Sequence, residues 1–366
     1  MQENKMKASA VLGTLVCISS FVSAVPAMAA DSAKVGISLP TQNIEHFAKE
    51  GHYLAAALEN EGFDVSLFFA GDNDVEIQQR QILRMVEEGC DAIIVGAVDC
   101  YALGEQLNEA RAKGVKVISY GSLLMDTDAV DYLVAFDAAR AGEIQGNYLR
   151  AALKLDKATA ETPRTVELFS GIATDSNSRA FFAGAMSVLN PYFESGALVV
   201  GSGQRDLEST CTGRSDEDSI VRMDKLVASV GYGPEGRKLD AVLSPSDTAA
   251  AGIITSLKRA GYTAENMPKI TGQDCSALGV HQIEQGEQGM SVFKDSKVLA
   301  NSAAKMTASL LEGSLVRITN PGIDNGVKQV PAYECLPVYV GGGRDQYADV
   351  MIKGGFLTRN DIDSAF

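Results

Sequence analysis

The stretch VELFSGIATDSNSRAFFAGAMSVL, residues 166–189, sets a polar loop between two apolar runs. The first run has the length of a buried strand, and the second, from Ala180, repeats apolar residues at helical spacing. Between them Asp175, Asn177 and Arg179 can all hydrogen-bond. A strand that feeds a polar loop into a helix is the repeating unit of a parallel sheet, and open parallel sheets bind ligands beyond the carboxyl ends of their strands.

The same unit recurs along the chain. KVGISLP precedes the helix-patterned IEHFAKEGHYLAAALENEG; FDVSLFFA precedes DNDVEIQQRQILRMVEEG, whose Asp72, Asn73 and Asp74 suit a helix start; DAIIVGAV, YALGEQLNEARAKG and VKVISYG follow. Around VDYLVAFDAARAGEIQG the pattern restarts, with RTVELFSG, ALVVGSG, LDAVLSPS and KITGQD as strands, each leading into a helical run. A chain of 366 residues exceeds one ordinary core. The expectation is an α/β fold of two lobes with parallel sheets, facing each other across a cleft.

Composition narrows the function. A formal charge of −15 opposes nucleic acid, whose binding rests on Lys and Arg neutralising phosphates. At the N-terminus Lys5 and Lys7 precede an apolar stretch that ends in AMAAD, with small residues at Ala27 and Ala29. We read residues 1–29 as an export signal cleaved near Ala29, leaving a soluble protein in the periplasm; the run is short for a membrane anchor. Cys90, Cys100, Cys211, Cys275 and Cys335 remain, an odd number without metal-ligand spacing, and are read as mostly buried free thiols.

Catalytic signatures are thin. The histidines His46, His52 and His281 recur in no metal pattern, and there is neither a G-x-S-x-G elbow nor a P-loop. GYGPEG at 231–236 matches G-x-G-x-x-G but follows a helix and contains Pro234, so it reads as a turn; GDNDVE reads as a helix cap. No cofactor or metal is expected. What remains is Asp175, Asn177, Arg179, Ser246, Asp247, Asp274 and Lys294 at strand ends. Asp accepts while Arg and Lys donate, a mixture suited to a polyol whose hydroxyls do both. Micromolar affinity needs about −8 kcal/mol, and a hydrogen bond to a charged group nets about 1.5–3 kcal/mol. Several such partners must therefore converge.

The chain resembles the periplasmic sugar-binding proteins of ABC transporters, of the ribose, galactose and xylose type, and most of all their multiple-sugar-binding branch. ELFSG, FFAGAMSVLNPYF, DAVLSPSD, GIITSLKRAGY, TGQD, VFKD, NGVKQVPAY and AGDNDVEIQQRQI carry the resemblance. It implies two Rossmann-like lobes joined by three hinge crossings, near Asp137, near Lys294 and near Asn325–Pro331. The first lobe would hold residues 34–136 and 295–324, the second 137–294 and 325–366. It also implies ligand contacts at Phe47, a stacking aromatic, and at Glu45, Arg179, Asp175, Asn177, Ser246, Asp247, Asp274, Lys294 and Arg214. Two positions depart from the family pattern: Gly121 and Ser122 stand where ring hydroxyls are usually gripped, and Ser215 where a second stacking aromatic is usual. Tyr120, Tyr101 or His46 are candidates to compensate.

The function so implied is an exported, non-enzymatic protein that closes on a small polar ligand, foremost a monosaccharide, and delivers it to a membrane permease. Alternatives left open are a sugar acid, polyol, nucleoside or furanosyl signal as ligand. A sensory module feeding a chemoreceptor or kinase shares the same cleft, and an enzyme is the rival of another class.

Overall fold

The computed structural model describes residues 32–43, 45–213, 215–341 and 347–365. The stretch read as an export signal, Arg214 and the side chains of Glu45 and His46 lie outside the described residues. Five strands open the first lobe: β1 (Lys34–Leu39), β2 (Asp64–Phe69), β3 (Ala92–Val95), β4 (Lys116–Tyr120) and β5 (Tyr132–Phe136). They run parallel in the order β2-β1-β3-β4-β5. Helices α1 (Glu45–Asn60), α2 (Val75–Glu87) and α3 (Gly104–Ala112) link them. The central strands read as unbroken apolar runs because both faces are covered. Leu54, Leu58 and Ile37 pack on one side, and Ile82, Met85, Leu103 and Leu107 on the other.

The second lobe repeats the plan. It holds β6 (Arg164–Leu168), β7 (Leu198–Val200), β8 (Ala241–Leu243) and β9 (Lys269–Ile270), parallel in the order β7-β6-β8-β9. A parallel bridge between Gln273 and Val292 places β10 (Met290–Phe293) beside β9. Helices α4 (Ala138–Ala152) and α5 (Ser176–Glu194) cover one face, while α6 (Asp216–Val230) and α7 (Asp247–Arg259) cover the other. Local chemistry sets where helices start, and α5 begins at Ser176, a turn ahead of the Ala180 from which the sequence pattern runs. Asp74 accepts the Ile77 amide at 3.0 Å, Asp175 that of Asn177 at 3.1 Å, and Ser246 that of Ala249 at 3.1 Å. Gly231 ends α6 in a left-handed turn, so GYGPEG is a turn as read.

Both lobes thus share the strand order 2-1-3-4-5, which opens a crevice at the strand ends where the winding reverses. The chain passes from β5 through Asp137 into α4, and from β10 through Lys294 and Asp295 into α9 (Ser296–Leu311). Leu299, Ala300, Ala303 and Ala304 of α9 return to the first-lobe core.

The third passage lies later than the sequence suggests. Asn325–Gly326 is the turn of a hairpin joining β11 (Asn320–Asp324) to β12 (Gln329–Cys335), and β12 pairs in parallel with β5. Residues 325–335 therefore belong to the first sheet, and the chain leaves it after Cys335 to form β13 (Val338–Gly341) against β10. Buried Asn325 locks the turn, donating to the carbonyls of Leu124 and Thr127 and accepting from the amides of Val327 and Lys328.

Beyond β13, Tyr347, Met351, Leu357 and Ile362 pack against Cys275, Val280 and Phe293. Arg359 holds Glu284 of α8 (Ala277–Glu284) in a two-pronged ion pair, both contacts at 2.6 Å. Cys90, Cys275 and Cys335 are buried free thiols, Cys211 is a half-buried one, and Cys100 is buried.

Helices α4 and α5 approach closely through two glycines. A Cβ on Gly142 would collide with the carbonyl of Phe181, and one on Gly184 with the carbonyl of Ala139. Backbone cannot swing aside as a side chain can. Gly142→Ala is expected to destabilise the protein by about 3 kcal/mol, the upper end of ordinary overpacking. A urea melt showing an unchanged midpoint would contradict that packing.

Candidate ligand-binding cleft

A cleft of about 560 Å³ lies at the carboxyl ends of the strands of both sheets. From the first lobe come Phe47 and Glu50 of α1, Gly96 and Ala97 after β3, and Tyr120 to Ser122 after β4. The second lobe supplies Asp175, Asn177, Ser178 and Phe181 around the start of α5, Ser246 after β8, and Gln273 to Ser276 after β9. Lys294 occupies the middle crossing, and Met351, Phe356 and Leu357 add a wall from the C-terminal segment.

Asp247 underlies the second-lobe wall. It is buried, with Oδ1 accepting from Gln288 Nε2 and Ser291 Oγ and Oδ2 accepting from the Ser276 amide, each at 2.8 Å. Gly272 and Gly279 make room for it, since a Cβ on either would strike its oxygens. Burial first, then the charge of Asp274, raises its pKa to about 7.

Above it, Asp274 and Cys275 both adopt positive φ, +90° and +50°. Such conformations cost about 1–3 kcal/mol each outside glycine. The turn is held by the Asp274 amide on the Val292 carbonyl at 2.8 Å and the Cys275 amide on Ser291 Oγ at 3.1 Å. It delivers Asp274 to Lys294 at 2.8 Å. Burial disfavours the Lys294 ammonium, yet Asp274, with Glu50 and Asp175 beyond it, outweighs that and raises its pKa. Lys294 therefore keeps its charge at neutral pH.

Tyr120 is almost wholly buried, and its hydroxyl has no hydrogen-bond partner among the described residues. Burial, then Glu50, pushes its pKa well above the ordinary phenol, so it keeps its proton and can donate. A buried hydroxyl with no partner costs about 1–3 kcal/mol. A ligand hydroxyl at that wall removes the cost.

The two lobes also touch directly. Asn177 Nδ2 donates to the Gly121 carbonyl at 2.6 Å and to Ser122 Oγ at 3.1 Å. Ser122 Oγ donates to Asp175 Oδ1, and the Leu123 amide to Ser176 Oγ, both at 3.1 Å. Gly121 and Ser122, the departures from the family pattern, are thus bonded to the start of α5. Asp175 and Asn177 share their polar atoms between the cleft and this latch.

Of the residues singled out in sequence, Phe47, Asp175, Asn177, Ser246, Asp247, Asp274 and Lys294 line the cleft. Arg179 does not: it is exposed, because Asn177, Ser178 and Phe181 define the inward face of α5 and Arg179 falls on the opposite side of the turn. Tyr101 is also exposed and outside the cleft. Sequence reasoning missed Glu50, which lies one turn beyond Phe47 and was reachable by helical spacing. It also missed Phe356, for which no motif or strand end gave a signal.

Two lobes of one doubly wound order, with polar side chains from both around a shared cleft, are the build of a periplasmic binding protein. The chain belongs to that family: the periplasmic binding protein domain model matches residues 35–315. It is 36% identical to the multiple sugar-binding periplasmic receptor ChvE of Rhizobium radiobacter over 98% of both chains. The multiple sugar-binding periplasmic protein SbpA of Azospirillum brasilense is 37% identical over 91% of this chain and 92% of its own. Among solved structures, an ABC transporter solute-binding protein from Clostridium phytofermentans with bound β-D-glucose superposes with a TM-score of 0.84. It is 35% identical and covers 90% of this chain and 99% of its own.

Two outcomes are expected. Asn177→Ala removes two of the interlobe bonds, worth about 2 kcal/mol together, and should enlarge the radius of gyration of the ligand-free protein in X-ray scattering; an identical profile would contradict the latch. The second concerns pH. Because the folded pKa of Asp247 lies above its unfolded value, the cost of ionising it is absent below about pH 4 and complete above about pH 7. Its contribution to stability therefore falls as pH rises through that window, at about 1.4 kcal/mol per pKa unit. In urea melts across pH, Asp247→Asn should be less stable overall but should lose that fall.

Proposed function

We propose that the protein captures a neutral monosaccharide in this cleft and delivers it to the membrane permease of an ABC transporter. The carrying observation is the charge around the cleft. Among the described residues that line it, Glu50, Asp175 and Asp274 stand with Lys49 and Lys294, Asp247 lies buried behind them, and Lys294 is already paired with Asp274. Arg179, which the sequence offered as a further cation, is outside. An acid or phosphate entering here would meet an excess of carboxylates and a lysine that has its counter-ion. A hydroxyl meets acceptors at the carboxylates and donors at Lys294 and Tyr120. Phe47 offers a ring to the CH face of a pyranose.

Similarity supports the same reading. Relatives over nearly the full chain are named for sugars, and the structural neighbour from Clostridium phytofermentans holds β-D-glucose. We take the protein to be a carrier and not an enzyme, working in the periplasm after cleavage near Ala29. The name receptor, carried by the Rhizobium radiobacter relative, favours sensing as a second role for the same closed form.

A thermal-shift screen of D-glucose, D-xylose, D-galactose and L-arabinose against D-glucuronate and glucose 6-phosphate tests the reading. A neutral sugar at a hundredfold over its dissociation constant adds about 2.7 kcal/mol of stability. At least one aldose should raise the melting temperature, and the acids should bind at least tenfold more weakly. An acid that binds more tightly than every aldose overturns it.

A further inference from the structure

A second cavity, of about 350 Å³, runs along α6 against the segment 204–213, on the second lobe. It meets the sugar cleft only at Gly213, which lines both. Its chemistry is the opposite of the cleft's. Arg222 and Lys225 stand one turn apart on the face of α6 that lines it. Asp218, the acidic residue on that face, is spent as a helix cap, accepting from the amide and hydroxyl of Ser215.

Arg222 is half-buried and held in place. Its Nη1 donates to the Ser209 carbonyl at 3.0 Å, its Nη2 to the Leu168 carbonyl at 3.2 Å, and its guanidinium lies 4.9 Å from the centre of the Phe169 ring. No carboxylate forms an ion pair with it among the described residues, and its buried Nε makes no hydrogen bond. Burial lowers its pKa from the usual arginine value, the mark of a cation poorly compensated for lost water. Across the cavity the Gln204 side-chain oxygen is also buried and without a partner. A rigid guanidinium with a spare N–H, a neighbouring ammonium and an unmet acceptor make a definite demand on an occupant. It needs an oxyanion for the first two and a hydroxyl donor for the third.

We propose that this groove binds a small hydroxylated oxyanion, its carboxylate or phosphate on Arg222 and Lys225 and its hydroxyl on Gln204. The carboxylate excess of the sugar cleft turns such a molecule away, so the two sites sort ligands by charge. They are also neighbours in the fold. Cys211 Sγ donates to the Gly171 carbonyl at 3.2 Å, and Gly171 lines the cleft while Cys211 lines the groove.

The test is a calorimetric and NMR titration of the full chain with D-glycerate, glycerol 3-phosphate and inorganic phosphate, with and without a saturating cleft sugar. Saturable binding is expected for at least one hydroxylated anion in both conditions, with shifts at the Arg222 Nε–H and the Gln204 amide. D-glycerate and glycerol 3-phosphate separate carboxylate from phosphate preference, and inorganic phosphate isolates the hydroxyl's share. Lys225→Glu, an exposed change that spares the fold, should weaken the anion roughly tenfold or more and leave sugar affinity as it was. Arg222→Gln should abolish anion binding, with circular dichroism as the control for folding. Absence of saturation up to about 10 mM, displacement of the anion by sugar, or unchanged binding in Lys225→Glu would each overturn the proposal. Because sugar binding is read separately, loss of the groove and loss of the sugar reading are distinct results.

Discussion

One buried carboxylate sets the geometry of the cleft. Asp247, out of reach of water, takes three hydrogen bonds from Gln288, Ser291 and the Ser276 amide. Those bonds tie the start of α7 to the turn after β9 and to β10, elements far apart in sequence. The turn so gripped contains two successive residues in the left-handed region, a conformation it would not hold alone. The result is Asp274 aimed at Lys294, on the very crossing by which the chain returns to the first lobe. Asp247, one of the candidate ligand groups in the sequence, therefore acts through others, by placing them.

Much of this architecture was legible beforehand. Buried parallel strands make short apolar runs and their covering helices repeat at helical spacing, so the alternation of elements and the restart after β5 could be read directly. The third crossing could not, for a specific reason. The family resemblance put it near Asn325–Pro331, yet Pro331 lies in β12 opposite an irregularity of β11 between Asn320 and Ile323, where the ladder asks little of a backbone amide. Asn325-Gly326, six residues earlier, is the hairpin turn.

The candidate site shows the same division. The rule that loops follow strand ends found Asp175, Asn177, Ser246 and Asp274, because it rests on topology. It overreached at Arg179, which shares the loop's neighbourhood but has the wrong phase on α5. It was silent on Phe356, which reaches the cleft from beyond all the strands. There Lys297 of α9 lies 4.6 Å from the centre of the Phe356 ring and 5.5 Å from that of Tyr53, and Phe293 meets Phe356 edge-on at 4.7 Å. Such contacts depend on where a tail happens to fold, and no local pattern encodes them.

That tail gives the binding site a place in time. Residues 351–357 follow every described strand of the chain, so the last wall of the pocket arrives together with the last layer of apolar packing on Cys275, Val280 and Phe293. Capture and the completion of the second lobe are thus one event, and a chain cut short of Phe356 forfeits both together.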